Sequence, residues 1–404
     1  MNEASADSRF RVVIAGGGVA GLEALIALHH LAGDRVEVTL VAPDEDFVYK
    51  PMLVGEPFAA EPAERRALAP IAAEFGARFL KSPLTRVDAD KHRVALPGQE
   101  LSYDALMVCV GARSRAAYRN ALTFHAAGEP LDLRAVLATA ERAVHLAFVV
   151  PAGVSWSLPI YELALMAERQ ARQRGIAEVR CTIVTPEERP LALFGTVASA
   201  AVAELLEGRG IEVVSNTTVR ETDTGELMLI PGSRPLRAEA VVALPRLSGP
   251  NLPGVPADGD GFIRIDDYCR VRGLAHVYGA GDGTDFPVKQ GGLATQQADT
   301  AAEQVAAEAG APVEPRPFRP VLRGMLLTGE ESLFARQDLT GGSGEGIASE
   351  DYLWWPPHKI GGRYLPAWLA HEEPPEDLEP PRHALDVELA LPHEWHEQPM
   401  AMDS

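Results

Sequence analysis

The most constraining feature of the chain lies at its start. The apolar run Arg11-Val-Val-Ile-Ala leads straight into Gly16-Gly-Gly-Val-Ala-Gly21, and Leu22, Ala24, Leu25 and Leu28 follow at helical spacing. A strand that turns through glycines at GxGxxG spacing into a helix commits this segment to a β–α unit of a parallel sheet. Gly16 allows the tight turn, Gly18 lets the backbone approach a diphosphate, and Gly21 lets the helix pack closely on the strand. Exposed amides and the dipole at the helix start then favour an anion there. The segment reads as a dinucleotide-binding turn.

Composition narrows what surrounds it. With 404 residues and 46% hydrophobic content, the chain can bury a large core in two or three domains. Its net charge of −20 argues against nucleic acid as a partner and against purely electrostatic docking on anionic lipid. The three cysteines, Cys109, Cys181 and Cys269, form no CxxC pair and suit a reducing cytoplasm. The N-terminus is polar, without the apolar run of a secretory signal. The most apolar stretch, 143–167, is interrupted by Pro151, Gly153 and Pro159 and carries Glu162, so it makes a poor membrane span. The expectation is a cytoplasmic protein, peripheral on the inner face of a membrane if it meets one.

Further along, strands and helices alternate. The pattern predicts strands at 10–15, 36–41, 77–81, 85–89, 92–96 and 105–110, with helices at 21–32 and 64–75. A second β–α–β series is predicted from a strand at 145–150, a helix at 161–174 and a strand at 178–184. A helix at 196–209 and strands at 211–214 and 238–243 continue it. A strand at 276–279 then leads into Gly281-Asp282 and a helix over 292–309. This order defines an α/β class with parallel sheets. We divide the chain into a discontinuous first domain (1–114 and 246–312), an inserted domain (115–245) and a C-terminal region (313–404) with a Trp-rich segment and an acidic, proline-rich tail.

The GxGxxG turn, the strand Leu106–Val110 ending in Gly111, and Tyr278-Gly-Ala-Gly-Asp-Gly together resemble the two-dinucleotide-domain flavoproteins. That superfamily includes the disulfide reductases, type II NADH dehydrogenases and sulfide:quinone oxidoreductases. The likeness covers roughly residues 10–330 and implies two Rossmann-like domains, for FAD and NAD(P), followed by a C-terminal extension. It implies FAD in the first domain, held by Gly16, Gly18, Gly21, Gly111, Gly281 and Asp282, the last by its carboxylate. Val87, Gln290 and Pro51 are carried over with them, Pro51 within a Phe47–Leu53 segment resembling one that lies along the flavin in quinone-linked members. Only five lysines occur, and Lys50 and Lys289 fall in two presumed flavin loops. They are the candidate catalytic groups, tuning the flavin or stabilising its reduced anion.

Departures from the family separate its branches. Residues 43–75 contain no cysteine, which excludes the CxxxxC chemistry of disulfide reductases. The loop Pro151-Ala-Gly-Val-Ser-Trp-Ser-Leu-Pro has the rhythm of the sulfide enzymes, yet Val154-Ser155 stand where a thiol is usual. The same loop offers only Gly153 for a second phosphate turn, and Trp156 and Pro159 obstruct close backbone approach, so NAD(P) is doubtful. Glu162 matches a glutamate often found early in that helix, and Thr185-Pro186-Glu187 after the strand 181–184 keeps a ribose-binding carboxylate open. In the first domain, Val41-Ala42-Pro43 lacks the usual strand-end acid, which leaves Asp44 or Glu45 to reach the adenosine ribose.

Trp354, Trp355, Tyr364 and Trp368 admit three readings: a cap over the flavin and a quinone pocket, a membrane-interface anchor, or a core plug or subunit contact. The leading expectation is an FAD-dependent oxidoreductase like the sulfide:quinone enzymes, without their redox cysteines. It would pass electrons from a small-molecule donor to a quinone-like or protein acceptor. Two alternatives stay open, an NAD(P)H dehydrogenase with an altered nucleotide site and a non-catalytic flavin-binding partner or sensor. The oligomeric state is left open.

Overall fold

A computed structural model describes residues 9–371 apart from 59–62, 125–130, 141, 330–331, 337–346, 350–352 and 355–357. In chain order, the first domain begins with β1 (Phe10–Ala15), α1 (Val19–Ala32), β2 (Val36–Ala42), β3 (Arg78–Lys81) and β4 (Ala105–Val108). The inserted series is β5 (Leu122–Thr123), β6 (Ala143–Val149), α2 (Leu158–Gln173), β7 (Glu178–Val184), α3 (Gly195–Gly208), β8 (Ile211–Val214) and β9 (Ala240–Ala243). The chain then returns through β10 (Val277–Gly279) and α4 (Gly291–Glu308), and the described part closes with α5 (Leu365–Ala370).

Two five-stranded sheets result, in the orders β10-β4-β1-β2-β3 and β5-β9-β6-β7-β8. Every pairing within them is parallel. The fold is therefore α/β with two Rossmann-like units, as the alternating pattern predicts. Parallel sheets need cover on both faces, and their central strands are apolar throughout: β4 is buried at all four positions. Helix α1 is buried continuously from Ala20 to Leu28 because it lies between the sheet and α4. An antiparallel pair, Arg113–Arg115 with Arg246–Ser248, forms the neck where the chain leaves and re-enters the first domain.

Several boundaries moved. The helix expected at 64–75 begins only at Leu68, because Arg65–Ala67 pairs antiparallel with Asp46–Val48. The strands read at 85–89 and 92–96 leave the main sheet and form a small antiparallel one with Gln99–Ser102. Segment 44–53, read as a loop, holds the strand Asp46–Val48 and the start of a 3-10 turn, Lys50–Phe58.

After α4 a small antiparallel sheet, opened by Arg323–Leu327, packs on the inserted domain, where Gly324 lies so close to the Phe194 ring that a Cβ would stand 2.3 Å from it. The chain then crosses back, and Ile360, Leu365 and Leu369 join the core of the first domain. This returning strap touches both units. The acidic tail beyond residue 371 lies outside the described residues.

Candidate functional site

The glycine motifs converge because the strands they terminate are neighbours. Register places Ala15 beside Val108, and Val108 beside Gly279, so the turns after β1, β4 and β10 leave the sheet at one level. In an open parallel sheet, that edge is where ligands bind. Each glycine has its own reason to be there. A Cβ on Gly16, whose φ is +124°, would lie 2.1 Å from the Cys109 carbonyl oxygen, and one on Gly21 would lie 1.8 Å from the Gly16 oxygen. Gly17, which the motif does not require, would strike the Leu68 side chain at 2.4 Å. Gly18 differs: nothing lies within 4 Å of its would-be Cβ. Packing holds the other three glycines, and open space faces this one.

Helix α1 starts at Gly18 with no side-chain cap and no acidic residue in its first turn. Its leading amides are therefore available to an anion from outside. Opposite them stand Gly111, at φ +70° with open space above it, and the Gly281-Asp282 loop. Gly283 closes the gap between these loops, its would-be Cβ 2.8 Å from the Gly111 oxygen. The Gly281 amide donates to Gln297 Oε1 at 2.8 Å, which fixes the loop against α4. Burial pushes the Asp282 carboxyl up, while Lys289 and Lys50 pull it down. The two lysines singled out in sequence thus share one neighbour, Asp282.

Their individual placements differ from expectation. Lys289 is drawn into its own loop, donating to the Thr284 oxygen at 2.5 Å and the Phe286 oxygen at 2.6 Å, with its nitrogen 3.9 Å from the centre of the Phe262 ring. Desolvation lowers it to about 8. Two of its three N–H donors are committed to the turn, and its charge pulls the Asp282 carboxyl down. Lys50 is exposed at the start of the 3-10 turn. Gln290 caps α4, its Oε1 accepting from the Leu293 amide at 2.8 Å and its Nε2 donating to the Arg323 oxygen. Val87 lies in the small sheet, and its amide donates to the Pro253 oxygen at 2.9 Å. Of the two acids after β2, Glu45 is paired with Lys81 at 2.7 Å, and Asp44 stands exposed.

The inserted domain has the same layout but a different turn. Glu187, just after β7, accepts from Ser157 Oγ at 2.9 Å, Tyr161 Oη at 2.7 Å and Thr185 Oγ1 at 2.9 Å. Ser157 stands at the N-cap position of α2 and Tyr161 sits in its first turn, so Glu187 lies beside the start of this helix, bonded to hydroxyls rather than to its amides. Hydroxyls of the protein satisfy the group that would have bound a ribose. A diphosphate arriving there meets a carboxylate beside the helix start.

Glu162 is equally committed. It is fully buried, accepts from the Leu327 amide at 2.8 Å, and pairs with Lys359 of the strap at 2.7 Å. Lys359 Nζ also donates to the Pro51 oxygen at 3.0 Å, and the Ile360 amide donates to Tyr49 Oη at 3.0 Å. Desolvation pushes Glu162 up and Lys359 down. Ile360 lies against Gly291, where a Cβ would approach it to 2.9 Å, so Lys359-Ile360-Gly361 covers the start of α4. A second anchor is Glu23 of α1, whose buried carboxylate accepts from the amides of Arg363, Tyr364 and Leu365.

These residues, Tyr49, Glu23, Glu162 and Lys359, form the clamp that sequence reasoning missed. The available signal was Gly361-Gly362 after a lone lysine in an aromatic stretch. The aromatic residues themselves turn elsewhere. Tyr364 stacks on His30, while Trp368 donates to Glu74 Oε1 and lies under Arg66. Trp354 bonds the His358 oxygen, and Trp355 lies outside the described residues. Tyr364 and Trp368 pack as a plug on the outside of the first domain, as the third reading had it.

All three cysteines are buried. Desolvation pushes Cys109 and Cys181 up to about 12 and raises Cys269 well above the ordinary thiol range. Burial thus disfavours the thiolate at all three. Among the described residues no cluster of His, Cys, Asp and Glu could hold a metal ion. No described helix is long and apolar enough to cross a membrane.

Two parallel-sheet units, an open glycine-turn crevice in the first and a clamping strap fit a two-dinucleotide-domain flavoprotein. The chain belongs to the pyridine nucleotide-disulphide oxidoreductase family, which matches residues 10–305. It is 26% identical over 275 residues to the sulfide-quinone reductase of Aquifex aeolicus, a match covering 62% of this chain and 61% of that relative's length. It is 25% identical over 352 residues to the demethylphylloquinone reductase NdbB of Synechocystis, covering 78% of this chain and 84% of the relative. The solved sulfide:quinone oxidoreductase of Aquifex aeolicus shares the fold, with a TM-score of 0.74 at 20% identity over 84% of this chain and 86% of the other.

The family's cofactor is FAD, and the residues of the first crevice fit it. Its helix start is uncapped, and the space over Gly18 is free of protein atoms. Asp282 is buried in the loop that faces it, and Asp44 is exposed after β2.

Proposed function

We propose that this chain is an FAD-dependent oxidoreductase that passes electrons from a small-molecule donor to a quinone-like or protein acceptor, without a protein redox thiol. The observation that carries this reading is the open space over Gly18 at the uncapped start of α1, where the turns after β1, β4 and β10 leave the sheet at one level. The quinone-like acceptor draws support from the two curated relatives, both of which are named as quinone reductases.

Bound FAD supplies the redox chemistry, accepting electrons from a donor and releasing them to an acceptor. The protein's part is to hold, orient and exclude. The α1 amides beyond Gly18 would hold the diphosphate of FAD, with Gly111 at the facing turn, and Asp282 would accept from the cofactor's ribityl hydroxyls. Asp44 is the acceptor for the adenosine ribose. Lys289 and Lys50 set a positive field around Asp282, which favours extra negative charge in the crevice. Lys359 ties the Pro51 turn to Glu162, so the strap excludes water from the start of α4. The reading includes a cytoplasmic protein that meets a lipid-dissolved acceptor peripherally.

An anaerobic test separates this from its rivals. Purified yellow protein is mixed with NADH, with sulfide, or with a thiol donor, and the flavin band is followed. Bleaching by sulfide or thiol but not NADH, with colour restored by a soluble quinone, is the expected result. Prompt bleaching by NADH would overturn it in favour of a dehydrogenase. No bleaching by any donor, with a partner protein retained on the column, would favour a binding role.

A further inference from the structure

The loop between β6 and α2 reaches across to the first domain. Pro151–Val154 is a tight turn, closed by the Val154 amide on the Pro151 oxygen at 3.2 Å, with Gly153 at φ +80°. Ser155 follows and donates from Oγ to the Pro287 oxygen at 2.5 Å. Trp156 packs on Phe194, with ring centres 5.7 Å apart and planes tilted by 59°. Phe194 fills the space over Gly324, and the neighbouring Arg323 oxygen accepts from Gln290 Nε2 at 3.1 Å. A direct bond and a short chain of contacts thus set this loop against residues 287–290, the turn into α4 that carries Lys289.

Trp156 differs from two other tryptophans. Trp354 donates its indole N–H to the His358 oxygen, and Trp368 donates to Glu74 Oε1. Trp156 is half-buried, and no described residue accepts from its N–H. Packing on Phe194 holds the ring, and Val154 and Val288 add apolar surface to the same core. A braced indole with a free donor at its edge suits a flat, uncharged ring that carries a carbonyl oxygen. The ring stacks on the indole, and the oxygen accepts from the N–H. A dinucleotide fits less well, because its diphosphate would meet the Glu187 carboxylate beside the start of α2.

We propose that Trp156 is a specificity-determining contact for a quinone-like acceptor, its indole face stacking on the quinone ring and its N–H donating to a quinone oxygen. This role presupposes the quinone-reducing flavoprotein proposed for the chain. Ser155 holds the loop in place for it by tying the loop to Pro287.

Equilibrium dialysis of menadione against oxidised, flavin-loaded protein measures the contact without turnover. The comparison ligand is 2-methylnaphthalene, which has the fused ring but no carbonyl. The parent should bind menadione more tightly than the hydrocarbon. Trp156→Ala should weaken menadione about tenfold, and Trp156→Phe, which keeps a ring, about threefold with 2-methylnaphthalene unchanged. In turnover, both changes should raise the KM for menadione by more than they lower kcat. Trp368→Phe, on the outer plug, should bind menadione as the parent does. No menadione binding by the parent, or parental affinity in Trp156→Ala, sinks the proposal. Equal loss of both ligands in Trp156→Phe would overturn the N–H contact. The two readings fail separately. Protein that binds menadione through Trp156 yet is reoxidised by no quinone refutes the electron transfer, whereas reoxidation of Trp156→Ala at the parental KM refutes the contact. Thermal melts and flavin content of each variant separate lost binding from lost fold.

Discussion

Replacing Lys359 by methionine isolates the clamp. Lys359 and Glu162 are 5% and 0% exposed, and their 2.7 Å contact is the only ionic neutralisation that the Glu162 carboxylate has among the described residues. Methionine fills much the same volume, so the change removes charge more than packing. Breaking one side of a buried pair costs about 3–5 kcal/mol, because the remaining charge stays buried without compensation. Part of that cost can be relieved by a proton. Burial already raises the folded-state Glu162 above its ordinary value of 4.5, and loss of Lys359 raises it further. A carboxyl raised by folding contributes stability that is complete below the unfolded pKa and is lost as pH rises through the folded one, at up to about 1.4 kcal/mol per pH unit. The Lys359→Met defect should therefore be largest near pH 8 and shrink toward pH 5. Urea unfolding followed by circular dichroism at the two pH values measures it. The control is Glu162→Gln/Lys359→Met, which removes both charges and should recover most of the loss. A defect below about 1 kcal/mol at pH 8, or one equal at both pH values, would refute the argument, as would a double variant worse than the single.

Other outcomes follow from the same geometry. Gly18→Ala should fold normally but retain flavin poorly, because its methyl enters the open crevice, whereas Gly16→Ala should destabilise the fold itself by driving a Cβ into the Cys109 carbonyl; melting temperature and flavin-to-protein ratio distinguish the two. Tyr49→Phe leaves the buried Ile360 amide without its acceptor and should cost about 1–3 kcal/mol, with earlier proteolysis of the strap as a second readout. A chromogenic disulfide reagent should titrate no cysteine in the native protein and all three in denaturant, since each is buried; one fast thiol in the native state would reopen cysteine chemistry.

Local patterns carried a large part of the fold. The strand after Arg11, its glycine turn and the helix that follows are fixed by short-range sterics and by continuous apolar runs, so they are legible without knowing their neighbours. Boundaries failed where pairing intervened, as at Arg65–Ala67, where a strand partner delayed a helix. Site residues divided in the same way. Gly16, Gly18, Gly111 and Asp282 belong to turns whose backbone needs are written locally. Lys289 and Gln290 were placed in the right loop, yet their side chains proved committed to caps and carbonyls, which spacing does not reveal.

Sequence by itself therefore determined the class of architecture and the GxGxxG turn after β1, because backbone conformation and glycine spacing are local properties. Only the tertiary structure decided that Glu187 is occupied by Ser157, Tyr161 and Thr185, and that Glu162 belongs to Lys359, a residue 197 positions away. Partners so distant in the chain are chosen by desolvation: a carboxylate taken out of water must find its donors wherever packing has brought them.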